Sequence, residues 1–344
     1  MIVLFPTYAR RHADTGGWRA TVAGMVTRPL PARSHRRSLA VAVLKRLLEL
    51  DDSDLDTDVF RRRAEAFLFQ RVAGARVQVD LGSGTGAAAL SDRAGHFRAE
   101  IDLPADVVER DATRHGGRAR LACRALIDDV DGPQVGAAAA GMIDLVEPAG
   151  LSVISDIDDT VKLTNVADKK ELLRNTLLRE FAAIPGMAAV YRRWEGQGTA
   201  FHYVSASPWQ LANCLGEFIQ AAGLPVGSMH LKLFRLKDST PLGRLPSRKR
   251  SKRRAIEQVM ADFPDRRFLL VGDSGERDPE VYAEVARRRP EQVTGIAIRQ
   301  VEGRLSLRRQ RAWLDRIARR LPVGFMTVFT EPAELDDCFP ACCR

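Results

Sequence analysis

At 344 residues, 45% hydrophobic and 28% charged, the chain has room for two domains with cores of their own and too much apolar content for wholesale disorder. Lys and Arg outnumber Asp and Glu by 53 to 44, a formal charge of +9 that favours anionic partners such as phospholipids, nucleic acids or small phosphates. No apolar run approaches the ~20 residues needed to cross a bilayer. The five cysteines form no regular framework, so a reducing, cytoplasmic setting with at most peripheral membrane contact is expected.

The first 146 residues are predicted to be strand-rich. "WRATVAGMVTR" (18–28), "ARVQVDLG" (75–82), "GHFRAEIDLP" (95–104) and "GRARLACRAL" (117–126) alternate between turn residues as antiparallel strands do, which predicts a small β-sandwich-like domain. Two helical stretches interrupt it as an insertion. One is "SHRRSLAVAVLKRLLEL", with Ser34 available as a cap; the other is "DTDVFRRRAEAFLFQ", whose Phe60, Ala64, Phe67 and Leu68 share one face. "VQVDLGSGTGAAAL" places Gly82, Gly84 and Gly86 after a strand, as a nucleotide or S-adenosylmethionine site does. Another short strand follows in place of a helix, so the stretch reads as a hairpin connection.

Pro and Gly in "EPAG" (147–150) mark a linker. Beyond it "LSVIS", a helical 168–195, "AFHYVS", a helix from Pro208, "MHLKLF", a helix over 250–262, "RFLLVG", a helix over 279–289 and "VTGIAIR" alternate. That alternation predicts a Rossmann-like, doubly wound parallel α/β sheet over 151–330, followed by a tail at 331–344. The tail's "CFPACCR" has no second Cys/His pair nearby and reads as a terminus carrying thiols.

The chemistry gathers in this second domain. "SDIDDT" ends the first apolar run with Asp156, Asp158 and Asp159; "FHYVSASPW" places Ser205 after the next, "RKRSKRRAIE" sets Lys252 at a helix start, and "FLLVGDSGERD" brings Asp273 and Asp278. In a doubly wound sheet such residues converge at the carboxyl ends of the strands. Two carboxylates 4 Å apart repel by roughly 1 to 4 kcal/mol, so a cluster of them calls for a cation. Mg²⁺ suits oxygen ligands, and the absence of His and Cys argues against zinc. A carboxylate-held metal with a lysine and a hydroxyl fits phosphoryl transfer, with Asp156 as nucleophile and Asp158 as acid/base.

"DIDDT" reads D-x-D-x-T, and with a strand-end Ser, a downstream Lys and G-D-x-x-x-x-D in that order it resembles the haloacid dehalogenase superfamily of aspartate-nucleophile phosphatases. Within it, "SDIDDTVKLTNV", "GMAAVYRRW", "FHYVSASPWQL" and "FLLVGDSGERDPEVY" resemble the catalytic domain of the actin-patch-associated phosphatidate phosphatase family and its bacterial relatives, over about residues 150 to 300. The resemblance implies a phosphoaspartate on Asp156 and Mg²⁺ held by Asp156, the Asp158 carbonyl and Asp273, with Asp278 supporting. Thr160 would orient the loop, and Ser205, Ser207 and Lys252 would hold the substrate's phosphoryl oxygens. Lys249 lies three residues from Lys252 and competes for its role. The implied reaction is Mg²⁺-dependent hydrolysis of phosphatidate to diacylglycerol and phosphate.

The gaps after Thr160 and Ser205, about 45 and 25 residues, leave little room for a cap domain, and an open crevice favours a bulky substrate such as a lipid. "RLPSRKRSKRR" (244–254) carries seven basic residues, either a solvated run or an attraction to an anionic membrane. Trp209 beside the crevice is a candidate substrate or interface contact, against packing under the neighbouring helix. His202 reads as a hydrogen-bonded core residue. The alternatives are a phosphatase acting on another phosphomonoester such as a polynucleotide end, and a non-catalytic binder of acidic membranes or nucleic acid; nucleic acid is the less favoured partner.

Overall fold

The computed structural model describes residues 1–12, 14–31, 57–82, 84–115, 118–128, 138–165, 169–232, 248–302 and 306–335, with isolated positions between 34 and 42. Most of the helix predicted from Ser34, the first four residues of the basic run at 244–254 and the cysteine-bearing tail lie outside the described residues. The chain divides into two compact units: Met1–Pro148 with Leu177–Arg179 and Gln210–Gly216, and Ala149–Thr176 with Glu180–Trp209 and Glu217–Arg344.

In the first unit β1 (Ile2–Phe5) and β2 (Thr7–Arg11), separated by Pro6, run along one edge of the long β3 (Trp18–Pro29). Helix α1 (Asp58–Glu65) is shorter than the predicted one, because Phe69–Arg71 pairs with the end of β3 as strand β4. Next come β5 (Arg76–Asp80), β6 (Gly86–Leu90), β7 (His96–Leu103), α2 (Ala105–Asp111), β8 (Thr113–His115), β9 (Arg118–Ile127) and β10 (Ala139–Val146). The hydrogen-bonded path runs β7, β3, β2, β10, β9, β5, β6. Its two end strands, β6 and β7, are joined only by the short turn 91–95, so the sheet has to curl back on itself. Trp18, Val22, Val77, Val79, Phe97, Ile101, Leu121 and Ile143 pack as one core. The glycine-rich stretch is an antiparallel hairpin connection between β5 and β6, with Gly82 and Gly84 at φ +85° and +74°, a conformation that favours glycine.

The second unit holds a sheet of six parallel strands: β11 (Gly150–Ser155), β14 (Ala200–Pro208), β15 (Ser228–Lys232), β16 (Arg266–Asp273), β17 (Val293–Arg299) and β18 (Met326–Phe329). Their spatial order is β15-β14-β11-β16-β17-β18. The first strand thus lies at the centre, and chain order reverses direction between β11 and β16. Ligand-binding residues collect at such a switch point, outside the strands' carboxyl ends. Leu151–Ile154, with one serine among its apolar residues, and the continuous apolar run Phe268–Val271 are buried throughout, as strands covered on both faces require.

The helix predicted over 168–195 is two. α3 (Lys169–Leu177) and α4 (Met187–Gly196) flank Ala182–Ala183, strand β13, which pairs with Lys162–Leu163, strand β12, in a small hairpin. Pro185 disfavours helix at Ile184, and Gly186 at φ +88° starts α4 afresh. The remaining helices are α5 (Ala212–Ala221), α6 (Arg248–Asp262), α7 (Asp278–Arg288) and α8 (Leu307–Ala318).

Candidate active site

Asp156 follows β11 directly, and its backbone N–H donates to the Val271 carbonyl of neighbouring β16 at 2.8 Å. The chain then tightens into a turn in which Val161 and Lys162 both donate to the Ile157 carbonyl. Asp159 takes φ +53°, which Asp tolerates better than most residues. Its Oδ1 accepts from the backbone N–H of Thr164 (2.7 Å) and Asn165 (2.8 Å), and Arg299, at the end of β17, donates to its carbonyl at 2.9 Å. β16 ends in Asp273, whose Oδ1 accepts from Gly275 (2.6 Å) and Glu276 (3.1 Å) N–H groups; this turn delivers Asp278 as the first residue of α7.

These loops put Asp156, Asp273 and Asp278 together, one carboxylate oxygen from each lying within 4.8 Å of the others, all buried. Lys252, in the first turns of α6, reaches in and bonds to Asp156 Oδ1 at 2.6 Å and to Asp278 Oδ1. Lys249 turns away to Glu280 (3.4 Å) and Glu284 (4.0 Å) on α7, so the geometry favours Lys252 over Lys249 as the lysine of the crevice. Among the described residues, Asp156 Oδ2 and Asp273 Oδ2 are buried without a hydrogen-bond partner. Burial, then the negative charge of Asp278 and its neighbours, holds both Asp156 and Asp273 well above the usual carboxylate range despite Lys252. Burial alone would lower the Lys252 ammonium; Asp156 and Asp278 outweigh it and hold Lys252 above its usual range. Buried carboxylate oxygens without partners, in a set with no nitrogen or sulfur donor, suit a hard cation such as Mg²⁺.

The Asp158 side chain faces a different set of partners. Its Oδ1 pairs with Lys162 at 2.7 Å and accepts from the Thr164 hydroxyl at 2.9 Å, while its Oδ2 accepts from Ser205 (3.0 Å) and Ser207 (2.8 Å). Burial opposes its ionisation, but Lys162 and the hydroxyls prevail and bring its pKa to about 2. Ser205 and Ser207 therefore meet at Asp158, both carried by β14. The Thr160 hydroxyl is buried beside this loop with no hydrogen-bond partner among the described residues. Trp209 stands half-buried in the 3₁₀ turn Trp209–Leu211 that follows β14. His202 is fully buried in β14, bonded to Ser152 (3.3 Å) and Ser228 (2.8 Å).

Lys162 is the member that sequence reasoning passed over. Its stem crosses the β12–β13 hairpin with the ammonium 4.7 Å from the centre of the Phe181 ring, and only 1% of the residue is exposed. Tyr282 was missed as well; its ring lies below Lys252 at 5.8 Å and its hydroxyl donates to Val271 O at 3.1 Å. A lysine between Val161 and Leu163 was the one available signal, since a charge in an apolar run needs a buried partner.

Residues 151–300 match the model of a family described as phosphatidate phosphatase APP1, catalytic domain. Phosphatidate phosphatase APP1 of Saccharomyces cerevisiae is 35% identical over 158 residues, and an uncharacterized protein of Schizosaccharomyces pombe is 34% identical over 163. These alignments cover 45% and 46% of this chain and 26% of each relative, so the chain spans about a quarter of the length of the curated relatives it matches. A solved Pnkp1/Rnl/Hen1 complex aligns at 12% identity over 47% of this chain and 53% of its own, with a TM-score of 0.30, too slight a likeness to bear on the fold. The segment that supplies Asp156, Asp158, Ser205, Lys252, Asp273 and Asp278 is thus the one similar in sequence to a phosphatidate phosphatase catalytic domain.

Proposed function

We propose that the second unit is a Mg²⁺-dependent phosphatidate phosphatase of haloacid dehalogenase type, hydrolysing phosphatidate to diacylglycerol and phosphate through a phosphoaspartate on Asp156. The observation that carries this reading is the convergence of Asp156, Asp273, Asp278 and Lys252 on one buried cluster, inside the segment that matches a phosphatidate phosphatase catalytic domain. Asp156, Asp273 and Asp278 would hold the ion, with the Asp158 main-chain carbonyl. Bound there, Mg²⁺ would supply neutralisation of the charge on the phosphoryl oxygens.

The chain's own groups divide the remaining work. Lys252 fixes one carboxylate oxygen of Asp156 and so aims the nucleophile, and its ammonium is placed to draw an anionic ester into the crevice. Ser205 and Ser207 offer hydroxyls that can turn from Asp158 to the phosphoryl oxygens. Asp158, ionised, is ready to accept a proton from the water that frees phosphate from Asp156. To donate one to the leaving diacylglycerol oxygen, it must first be relieved of the Lys162 charge that keeps it ionised.

The test is Asp156→Asn, assayed for Mg²⁺-dependent phosphate release from dispersed phosphatidate with circular dichroism as the check on folding. A loss of at least about 10³-fold is expected; turnover comparable to wild type removes Asp156 as nucleophile. Glycerol phosphate and a 5′-phosphorylated oligonucleotide assayed in parallel decide the substrate, and preference for the oligonucleotide replaces the lipid.

A further inference from the structure

Besides the basic start of α6, the second unit carries a cluster of arginines on and just after α8, an element the chemistry above does not use. Between 307 and 320 the sequence has six arginines against one acid, Asp315. Gln310, Leu314 and Ile317 are buried and attach the helix to the unit, while Arg308, Arg309, Arg311, Arg316, Arg319 and Arg320 are all exposed. Among the described residues, no carboxylate side chain pairs with any of the six; Arg319 bonds to the Asp315 carbonyl on its own helix. Six uncompensated guanidinium groups on one short helix and the two residues after it repel each other, which is a cost without a polyanion to meet them.

The first turn of α8 stands close to the candidate active site. Ser274, next to Asp273, accepts the Val301 N–H at its hydroxyl (3.0 Å), and Gln310 donates to the Val301 carbonyl (3.0 Å) and bonds Gln300 (3.1 Å). Two hydrogen bonds therefore link the metal-type cluster to the turn that presents Arg308, Arg309 and Arg311. That turn also exposes Leu307, 61% accessible. The β12 hairpin, which leaves the same carboxyl edge of the sheet directly after the Asp156–Thr160 loop, exposes Leu163 at 54%. Exposed leucines with arginines beside them are what an interfacial lipid-binding element needs, apolar side chains to enter the headgroup layer and cations to meet its phosphates.

We infer that this edge of the second unit, made by Arg308, Arg309 and Arg311 with Leu307 and Leu163, docks on the surface of an anionic membrane and so brings the crevice to lipid headgroups. The inference rests on the phosphatase reading only for its purpose, since docking requires no turnover. Orientation is its specific content: the amino-terminal half of α8 touches the membrane and the carboxyl-terminal half does not.

The experiment is sedimentation of the full chain with vesicles of phosphatidylcholine and phosphatidylserine, containing no phosphatidate, against para-nitrophenyl phosphate hydrolysis as a soluble readout. Arg308→Gln, Arg309→Gln and Arg311→Gln combined are expected to weaken vesicle binding by roughly a hundredfold, about fivefold per arginine, and to leave the soluble ester's hydrolysis unchanged. Leu307→Asn, which removes the apolar side chain without adding charge, is expected to weaken binding in a way that added salt does not mask. The matching change of Arg316, Arg319 and Arg320 to Gln is the control and should cost several-fold less. Equal loss from both triple variants, or wild-type binding by the first, overturns the inference, as does displacement of the vesicles by an equimolar oligonucleotide. Vesicle binding without hydrolysis of any phosphate ester would strike the phosphatase reading and leave the docking surface standing.

Discussion

Gly272 shows how closely the carboxylates are fitted. A Cβ at this position would run into Asp278 Oδ2 and come within 2.7 Å of the Tyr282 ring, so the last turn of β16 has to lack a side chain for Asp278 to reach the cluster. Gly272→Ala is therefore expected to push Asp278 off its place, an overpacking cost of about 1 to 3 kcal/mol. Isothermal titration should find Mg²⁺ bound at least tenfold more weakly, while the strand pairing read by circular dichroism persists. Asp156, Asp273 and Asp278 were readable as a group in the sequence, because carboxylates at the ends of apolar runs demand compensation wherever the fold puts them; that Asp158 turns its side chain to other partners, and that Lys252 rather than Lys249 reaches in, took the structure to show. Gly272 was not, since a glycine before a strand-end Asp looks like any turn residue until Tyr282 and Asp278 are folded against it. Lys162 escaped notice for a similar reason: its burial depends on Phe181, which the sequence places far down the chain and the hairpin brings underneath it.

At the scale of elements, the β12–β13 hairpin is the part that sequence periodicity misread. Residues 168–195 carry a helical pattern nearly throughout, and only Pro185 and Gly186 hint that the pattern is broken; the two-residue pairing of Lys162–Leu163 with Ala182–Ala183 is too short to register as strand alternation. The hairpin brings Lys162 to Asp158, and the consequence can be measured. Lys162→Met leaves a buried carboxylate without its cation, a loss of about 3 kcal/mol in urea unfolding, at the lower end for such pairs because three hydroxyls remain bonded to Asp158. The sign with pH follows from a depressed carboxyl: its contribution is whole above the ordinary carboxylate value and disappears as pH falls through about 2. Acid unfolding should accordingly begin at higher pH in Lys162→Met than in wild type. By contrast, α6 and α7 were legible from their ends and lengths. Their mutual ion pairs, Arg253 with Glu284, Arg288 with Glu257, and Lys249 with Glu280, hold the helix that carries Lys252 beside the helix that carries Asp278.

For the molecule as a whole, alternation of strands and helices after residue 150 was enough to anticipate parallel strands, but the tail end of the sheet, β18 with α8 before it, was not read at all. An arginine-rich helix gives a weak apolar period, and Gln310 takes a buried place usually held by an apolar residue. In the first unit β10 was missed because "AAGMIDLV" has little alternation to recognise; its pairing with β2 and β9 decides its state. The cluster also makes stability depend on protons, and on the proposed reading on a cation with them. Asp156 and Asp273 stand above the ordinary carboxylate range in the folded chain, so the fold holds more protons than the unfolded chain and loses stability as pH rises through that window. On the proposed reading, Mg²⁺ would take the protons' place and remove this loss. The gain in thermal midpoint on adding a fixed concentration of Mg²⁺ should then be larger at pH 8 than at pH 5.5, a hundredfold excess over the dissociation constant corresponding to about 2.7 kcal/mol of stability; an equal gain at both pH values would mean the ion binds elsewhere.

The two loops that supply Asp156 and Asp273 are more than a hundred residues apart in the chain and become neighbours only when β16 slots in beside β11. A nascent polypeptide that has released Asp156 but not yet Phe268 has a would-be nucleophile and nowhere to lodge a cation. On the phosphatase reading, catalytic competence therefore has to wait for the central pair of strands to close.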